Sequence, residues 1–272
     1  MLPPDALSRV DAQVTFLDPE RFSYPPLPPQ LRNRFLPEHL RGPLRRNRFG
    51  GCVAVPFTSD VGETRWLLEI TRACDIVLGV SGSAGASNAA RTLDELMRQA
   101  HFKAVALRPE RLLEPAALAT LEEAARRNLP VDLILDWQQL PDLPALWDRI
   151  PNLRAAVAHL DSLPLEPAAL DQWADWMDQA VSLPGLYLKL SGLLRPEGLQ
   201  ASVAALTSCV RLLMRLFGPA RLMFASGWPF CLLGAGKWKE SLAAFTQMLG
   251  PQPMEAREAL LGGTACAFYR LA

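Results

Sequence analysis

Leu153-Arg154-Ala155-Ala156-Val157-Ala158-His159, followed by apolar residues Leu170, Trp173, Ala174, Met177 and Val181, sets the pattern of the whole chain. From Ala155 to Ala158 the first part is an unbroken apolar run that ends on an ionisable residue, as a strand covered on both faces requires. The second repeats at three- and four-residue intervals, which puts one apolar stripe on a helix. Similar runs occur at residues 9–16, 51–57, 76–81, 102–107, 131–135, 186–191 and 221–225, and bring the strands to eight. Helical spacing covers 63–73, 89–100, 115–128, 167–181, 200–217 and 239–249. Alternation of this kind through eight units predicts an α/β chain closed into a parallel (β/α)8 TIM barrel, with helices covering the strands outside. An open doubly wound sheet would carry a Gly-x-Gly-x-x-Gly turn after an early strand. Gly79, Gly82 and Gly85 lack that spacing and read as a loop.

With 272 residues, half of them hydrophobic, the chain is expected to bury one core as a single domain over 1–272. Its 28 basic and 28 acidic residues cancel, so nucleic acid and acidic membrane surfaces are not expected partners. Five scattered cysteines with no Cys-x-x-Cys pair point to reduced thiols and a cytoplasmic location. Neither an export leader nor a membrane span is read.

Between the first two strands, residues 18–50 carry seven prolines and seven arginines, too much proline for a regular helix. This insertion is expected to fold over a barrel end. Arg41, Arg45, Arg46 and Arg48 within it read as a solvated or ion-paired loop, since the net charge is zero. Trp173 and Trp176 read as packing residues. At the other end, Gly262-Gly263 marks a break in the helix read over 254–271.

Reacting groups of such barrels lie at the C-terminal ends of the strands. Gln13, Thr15, Arg108, Asp136, His159, Lys189, Ser191 and Ser226 fall there. Of three histidines, His39 is in the insertion and His101 precedes its strand, so only His159 is placed to act, either as a catalytic group or as a core histidine. Asp136 either orients His159 or caps a helix before Trp137. Lys189, in an apolar strand, needs an acceptor: a ligand's carboxylate or carbonyl is one reading, and a head that reaches solvent along the barrel is the other. Arg108 either binds an anion or caps its strand. A single imidazole with Asp136 and neutral oxygens would make a weak metal site. No tightly held cofactor is therefore expected, and a weakly held divalent ion such as zinc is the alternative.

Several stretches together resemble the lactonase-like branch of the amidohydrolase superfamily, which includes fuconolactonase and 2-pyrone-4,6-dicarboxylate lactonase. They are Val10-Asp11-Ala12-Gln13-Val14-Thr15, Leu31 to Leu40, Ala158-His159-Leu160, Lys189-Leu190-Ser191-Gly192-Leu193, Phe217 to Phe224, and Phe224-Ala225-Ser226-Gly227-Trp228-Pro229-Phe230. The resemblance implies a distorted, metal-dependent-hydrolase-like barrel that opens sugar or pyrone lactones. It further implies a His-x-His on the first strand, a histidine on the sixth and an aspartate on the eighth. In this chain Gln13 and Thr15 stand for the first pair and Gly227 for the aspartate, and His159 alone remains.

The reading that follows is a degenerate or weakly active member, a pseudoenzyme, that binds a small anionic or carbohydrate-like ligand. Gln13, Thr15, Arg108, Asp136, Lys189, Ser226 and Trp228 are its candidate binding residues, His159 its residual catalytic group, and no residue is assigned to a metal. The alternative is a metal-independent lactone or ester hydrolase that uses His159 and Lys189. Further copies of the chain, as a homo-oligomer, are the one protein partner considered.

Overall fold

The apolar runs form strands that pair in chain order. A computed structural model describes residues 9–85, 88–158, 162–163, 166–193 and 202–271. The strands are β1 (Val10–Val14), β2 (Gly51–Ala54), β3 (Val77–Gly82), β4 (Phe102–Leu107), β5 (Val131–Ile134), β6 (Ala155–Ala158), β7 (Leu186–Leu190) and β8 (Leu222–Phe224). They lie side by side in one parallel sheet, β1 to β8. Beyond the strand ends, a parallel bridge between Val14 and Trp228 joins the two edges. Thr15 N–H donates to Trp228 O at 2.7 Å and Gly227 N–H to Gln13 O at 3.1 Å. This nearly closed barrel is the one the alternation predicts.

The helices are α1 (Pro37–Arg46), α2 (Val61–Ile70), α3 (Ala89–Leu96), α4 (Pro115–Arg126), α5 (Leu143–Arg149), α6 (Pro167–Ala180), α7 (Ser202–Phe217), α8 (Leu232–Ala235), α9 (Trp238–Leu249), α10 (Met254–Glu258) and α11 (Thr264–Tyr269). On β7, Leu186, Leu188 and Leu190 join the large cluster under the helices, while Tyr187 packs in the interior. The same alternation puts Ala156 and Met223 inside and their neighbours outside. Ala12, Ala104, Ala156 and Ala225 are small because Phe268 and Tyr269 of α11 fill the space they leave. The last helix is interrupted at Gly262 by a π turn over Ala259–Gly263, and this lets α11 turn into the barrel's N-terminal end.

Two readings are corrected. The insertion does contain a regular helix, α1. Pro37 opens it, where a missing N–H costs nothing, and Arg41 and Arg45 both bind Asp75 at 2.8 Å. Gly79 and Gly82 lie within β3, where a Cβ would approach Lys103 Cγ to 2.6 Å and Thr64 Cγ2 to 2.2 Å. They are glycines because neighbours press on the strand, not because the chain loops there. Only Gly85, at φ +73°, belongs to a loop.

The insertion returns to the sheet through an antiparallel bridge between Leu17 and Phe35. Phe35 meets Trp228 edge-on at 5.5 Å, and Tyr24 meets Phe57 at 5.9 Å. Phe57 and Trp228 follow β2 and β8, so the segment lies beside the C-terminal mouth of the barrel. Trp173 is buried, and Trp176 stacks on Trp137 at 5.3 Å.

Candidate functional site at the barrel mouth

At the end of β1 the pairing with β2 slips between Asp11 and Val14. Thr15 is buried there, and its hydroxyl donates to Val55 O at 3.1 Å. Gln13 Oε1 is buried without a hydrogen-bond partner among the described residues, which leaves one acceptor available to a donor from outside the chain. Across the seam, Gly227 has φ +64°, and a Cβ added to it would meet nothing within 4 Å. Open space thus lies where an acidic side chain would project.

Ser226 and Trp228, read as binding residues, also hold the frame. Ser226 N–H donates to Asp11 Oδ1 at 2.9 Å, and Ser226 Oγ accepts Trp228 N–H at 3.1 Å. Trp228 is buried against Phe16 and Phe35. Asp136 takes its capping role: its carboxylate accepts Gln138 N–H at 3.0 Å at the start of a short 3-10 helix. Arg108 donates to Pro56 O at 2.8 Å, and its guanidinium lies 5.9 Å from the centre of the Phe57 ring. Beside it Glu63 is buried and accepts from Phe57 N, Thr58 N and Thr58 Oγ1 at 2.7 to 2.9 Å. Burial pushes the Glu63 carboxyl up, against those bonds and the nearby Arg108 charge.

Lys189 is paired within the chain. Its counter-ion is the Asp132 carboxylate on β5, with Nζ 2.7 Å from Oδ2 and both side chains fully enclosed. Tyr269 OH donates to both oxygens of Asp132, at 2.7 and 2.9 Å, and Lys189 Nζ lies 5.5 Å from the Tyr269 ring centre. Burial lowers the affinity of Lys189 for its proton, and Asp132 opposes this. The ammonium neither reaches solvent along the barrel nor stands free for a substrate. His159 lies outside the described residues.

Asp11, Glu63, Asp132 and Tyr269 are structural anchors that the sequence reading passed over. Asp132 carried a signal, because Val131-Asp132-Leu133-Ile134 places one acid in an apolar strand just as Tyr187-Leu188-Lys189-Leu190 places one base. Two opposite charges in two apolar strands are candidates for each other.

A divalent ion in a barrel of this type requires several convergent nitrogen or carboxylate donors. Among the described residues, no group of three His, Cys, Asp or Glu side chains is placed to hold one. At the corresponding positions Gln13 offers an amide, Thr15 has spent its hydroxyl on Val55, and Gly227 has no side chain. The described donor set does not fit such an ion.

The sequence profile of the amidohydrolase family matches residues 10–271. The L-fucono-1,5-lactonase of Burkholderia ambifaria is 28% identical over 257 residues, which cover 87% of this chain and 86% of that protein. The protein of the same name from Burkholderia multivorans is 28% identical over 265 residues, covering 89% and 88%. Among solved structures, an amidohydrolase from Burkholderia multivorans with bound zinc superposes with a TM-score of 0.86 at 23% identity, over 97% of this chain and 99% of that one. A putative 2-pyrone-4,6-dicarboxylic acid hydrolase from Pseudomonas putida gives 0.77 at 21% identity, over 97% and 98%. At that identity the structural likenesses speak for the fold.

Proposed function

Because the chain belongs to the amidohydrolase family, we propose that it is a lactonase-like barrel that holds a small anionic or carbohydrate-like ligand at its mouth and turns it over weakly or not at all. The observation that carries this reading is Gly227, a residue without a side chain set before open space in the eighth-strand loop. Loss of a positioned general base typically costs ~10² to 10⁴ in rate. Unless an ion lowers its pKa, water stays near ~15.7 rather than ~7. Thr15, turned to Val55, supplies no replacement base.

Support for a retained ligand comes from Gln13 Oε1, which awaits a donor such as a sugar hydroxyl. The lactonase relatives suggest the ligand class, a sugar lactone or the acid formed from it. Enclosure of Lys189 with Asp132 removes one of the two groups on which a metal-independent hydrolase reading relies.

The test is a panel of sugar and pyrone lactones, assayed with and without added zinc or manganese and accompanied by thermal shift measurements. Ligand-dependent stabilisation without turnover is the expected result. Catalytic turnover that His159→Ala abolishes would overturn the degenerate reading, and its persistence in chelator would favour the metal-independent hydrolase.

A further inference from the structure

We infer that the chain carries a second small-molecule site outside the barrel mouth, in the cavity between α1 and the segment joining β8 to α9, suited to the phosphate or carboxylate group of a small molecule. The cavity measures about 790 Å³. That is within the range of roughly 300–1,000 Å³ usual for small-molecule pockets. Gln13, Thr15 and Gly227 do not line it, so the inference stands apart from the function proposed above.

Charge on its walls is of one sign. Arg34 and Arg46 contribute from the insertion, and Lys237 and Lys239 from the opposite side, with no aspartate or glutamate in the lining. Some of this charge is already spent. Arg34 binds Asp18 at 3.1 Å and Glu20 at 3.5 Å, and Lys239 lies 3.7 Å from Glu240. Arg46 and Lys237, both exposed, have no acidic partner among the described residues, so two uncompensated cations border one space.

Neutral donors add to them. His39 Nδ1 accepts Leu36 N–H at 2.9 Å, so the neutral ring carries its proton on Nε2 and keeps a donor there. Helix α9, twelve residues long, starts at Trp238, and no side chain caps its first turn. Glu240 in that turn offsets part of the dipole, and Glu240 N–H is bonded to Lys237 O, so the helix start adds only a minor attraction for an anion to that of the side chains. Trp228 and Trp238 border the cavity but are almost fully buried, while Phe35, Pro43 and Leu232 on the same walls, half-buried, provide apolar surface for the body of a ligand. Arginine and lysine together with backbone N–H groups are the usual equipment for holding an oxyanion.

Both indoles border the cavity, so tryptophan fluorescence is a direct probe. Inorganic phosphate and, separately, gluconate would be titrated into the intact protein at ionic strength matched with sodium chloride. A saturable change with either one is expected, and which of them saturates tells a phosphate ligand from a carboxylate ligand. The exposed pair Arg46→Ala/Lys237→Ala should weaken binding by ~10-fold or more, because charge-assisted bonds carry most of such an interaction. The pair Arg91→Ala/Arg98→Ala, exposed on and just beyond α3, should leave it unchanged. No saturable response beyond that of sodium chloride, or the same loss in both pairs with near-UV circular dichroism unaltered, would overturn the inference.

Discussion

Lys189 Nζ stands 2.7 Å from Asp132 Oδ2 across the inside of the barrel, and the strands that carry them, β7 and β5, are separated by β6. The pair therefore ties two non-adjacent strands to each other, and Tyr269 brings in α11. Removal of one partner leaves the other buried and uncompensated, which typically costs ~3–5 kcal/mol. Lys189→Met should lose about that much in urea unfolding. Lys189→Met/Asp132→Leu/Tyr269→Phe should recover most of it, because apolar residues of similar size satisfy the same space. A single-variant loss below ~1 kcal/mol would mean that water or relaxation compensates the charge.

Asp11 closes the barrel where the β1–β8 ladder is incomplete. Its carboxylate accepts from Ser226 N–H at 2.9 Å and from Trp238 Nε1–H at 2.9 Å. Asp11→Asn keeps one acceptor and puts an NH2 group against the other donor, at an expected cost of ~1–3 kcal/mol. Burial raises the carboxyl's affinity for its proton above the ordinary value, and the donated bonds only partly offset this. A raised acid contributes stability that is full below its unfolded value of ~3.9 and is lost as pH rises through the folded value. The advantage of the wild type over Asp11→Asn should accordingly shrink as pH rises from ~4 toward neutrality. Guanidinium melts of both proteins across that range provide the check, and a gap that widens with pH contradicts it.

Gly227 has the room for a side chain but not the ordinary backbone for one. At φ +64°, Gly227→Ala should cost ~1 kcal/mol from conformation alone, and Gly227→Asp somewhat less, since aspartate tolerates the left-handed region better. Combined with Gln13→His and Thr15→His, Gly227→Asp should produce zinc binding measurable by calorimetry. Failure of that triple variant to bind, with the fold intact, would show that supporting residues are missing as well.

Glu63 fixes the loop after β2 by accepting from Phe57 N–H and Thr58 N–H at 2.8 and 2.9 Å. Glu63→Gln turns two acceptors into one and should destabilise by ~1–3 kcal/mol. Because Phe57 stacks on Phe230 and packs with Tyr24, limited proteolysis should show earlier cleavage within 18–36 in this variant than in the wild type. Unchanged cleavage would detach the insertion from Glu63.

What the sequence determined by itself was the barrel. Periodicity is a local property, so eight apolar runs and most of the helices between them, though not α5, were visible in the chain, as were the break at Gly262 and the absence of side chain at Gly227. The presence of α1 was not, because proline counts alone do not distinguish Pro37 at a helix start from proline that breaks a helix. The tertiary structure alone decided how the charged and polar groups are used. Lys189 with Asp132 and Asp11 with Ser226 and Trp238 are pairings at distance, settled by which side chains the closed sheet brings together away from water. A polar residue's type says that it needs a partner, and only the fold says whether that partner is a ligand or another part of the chain.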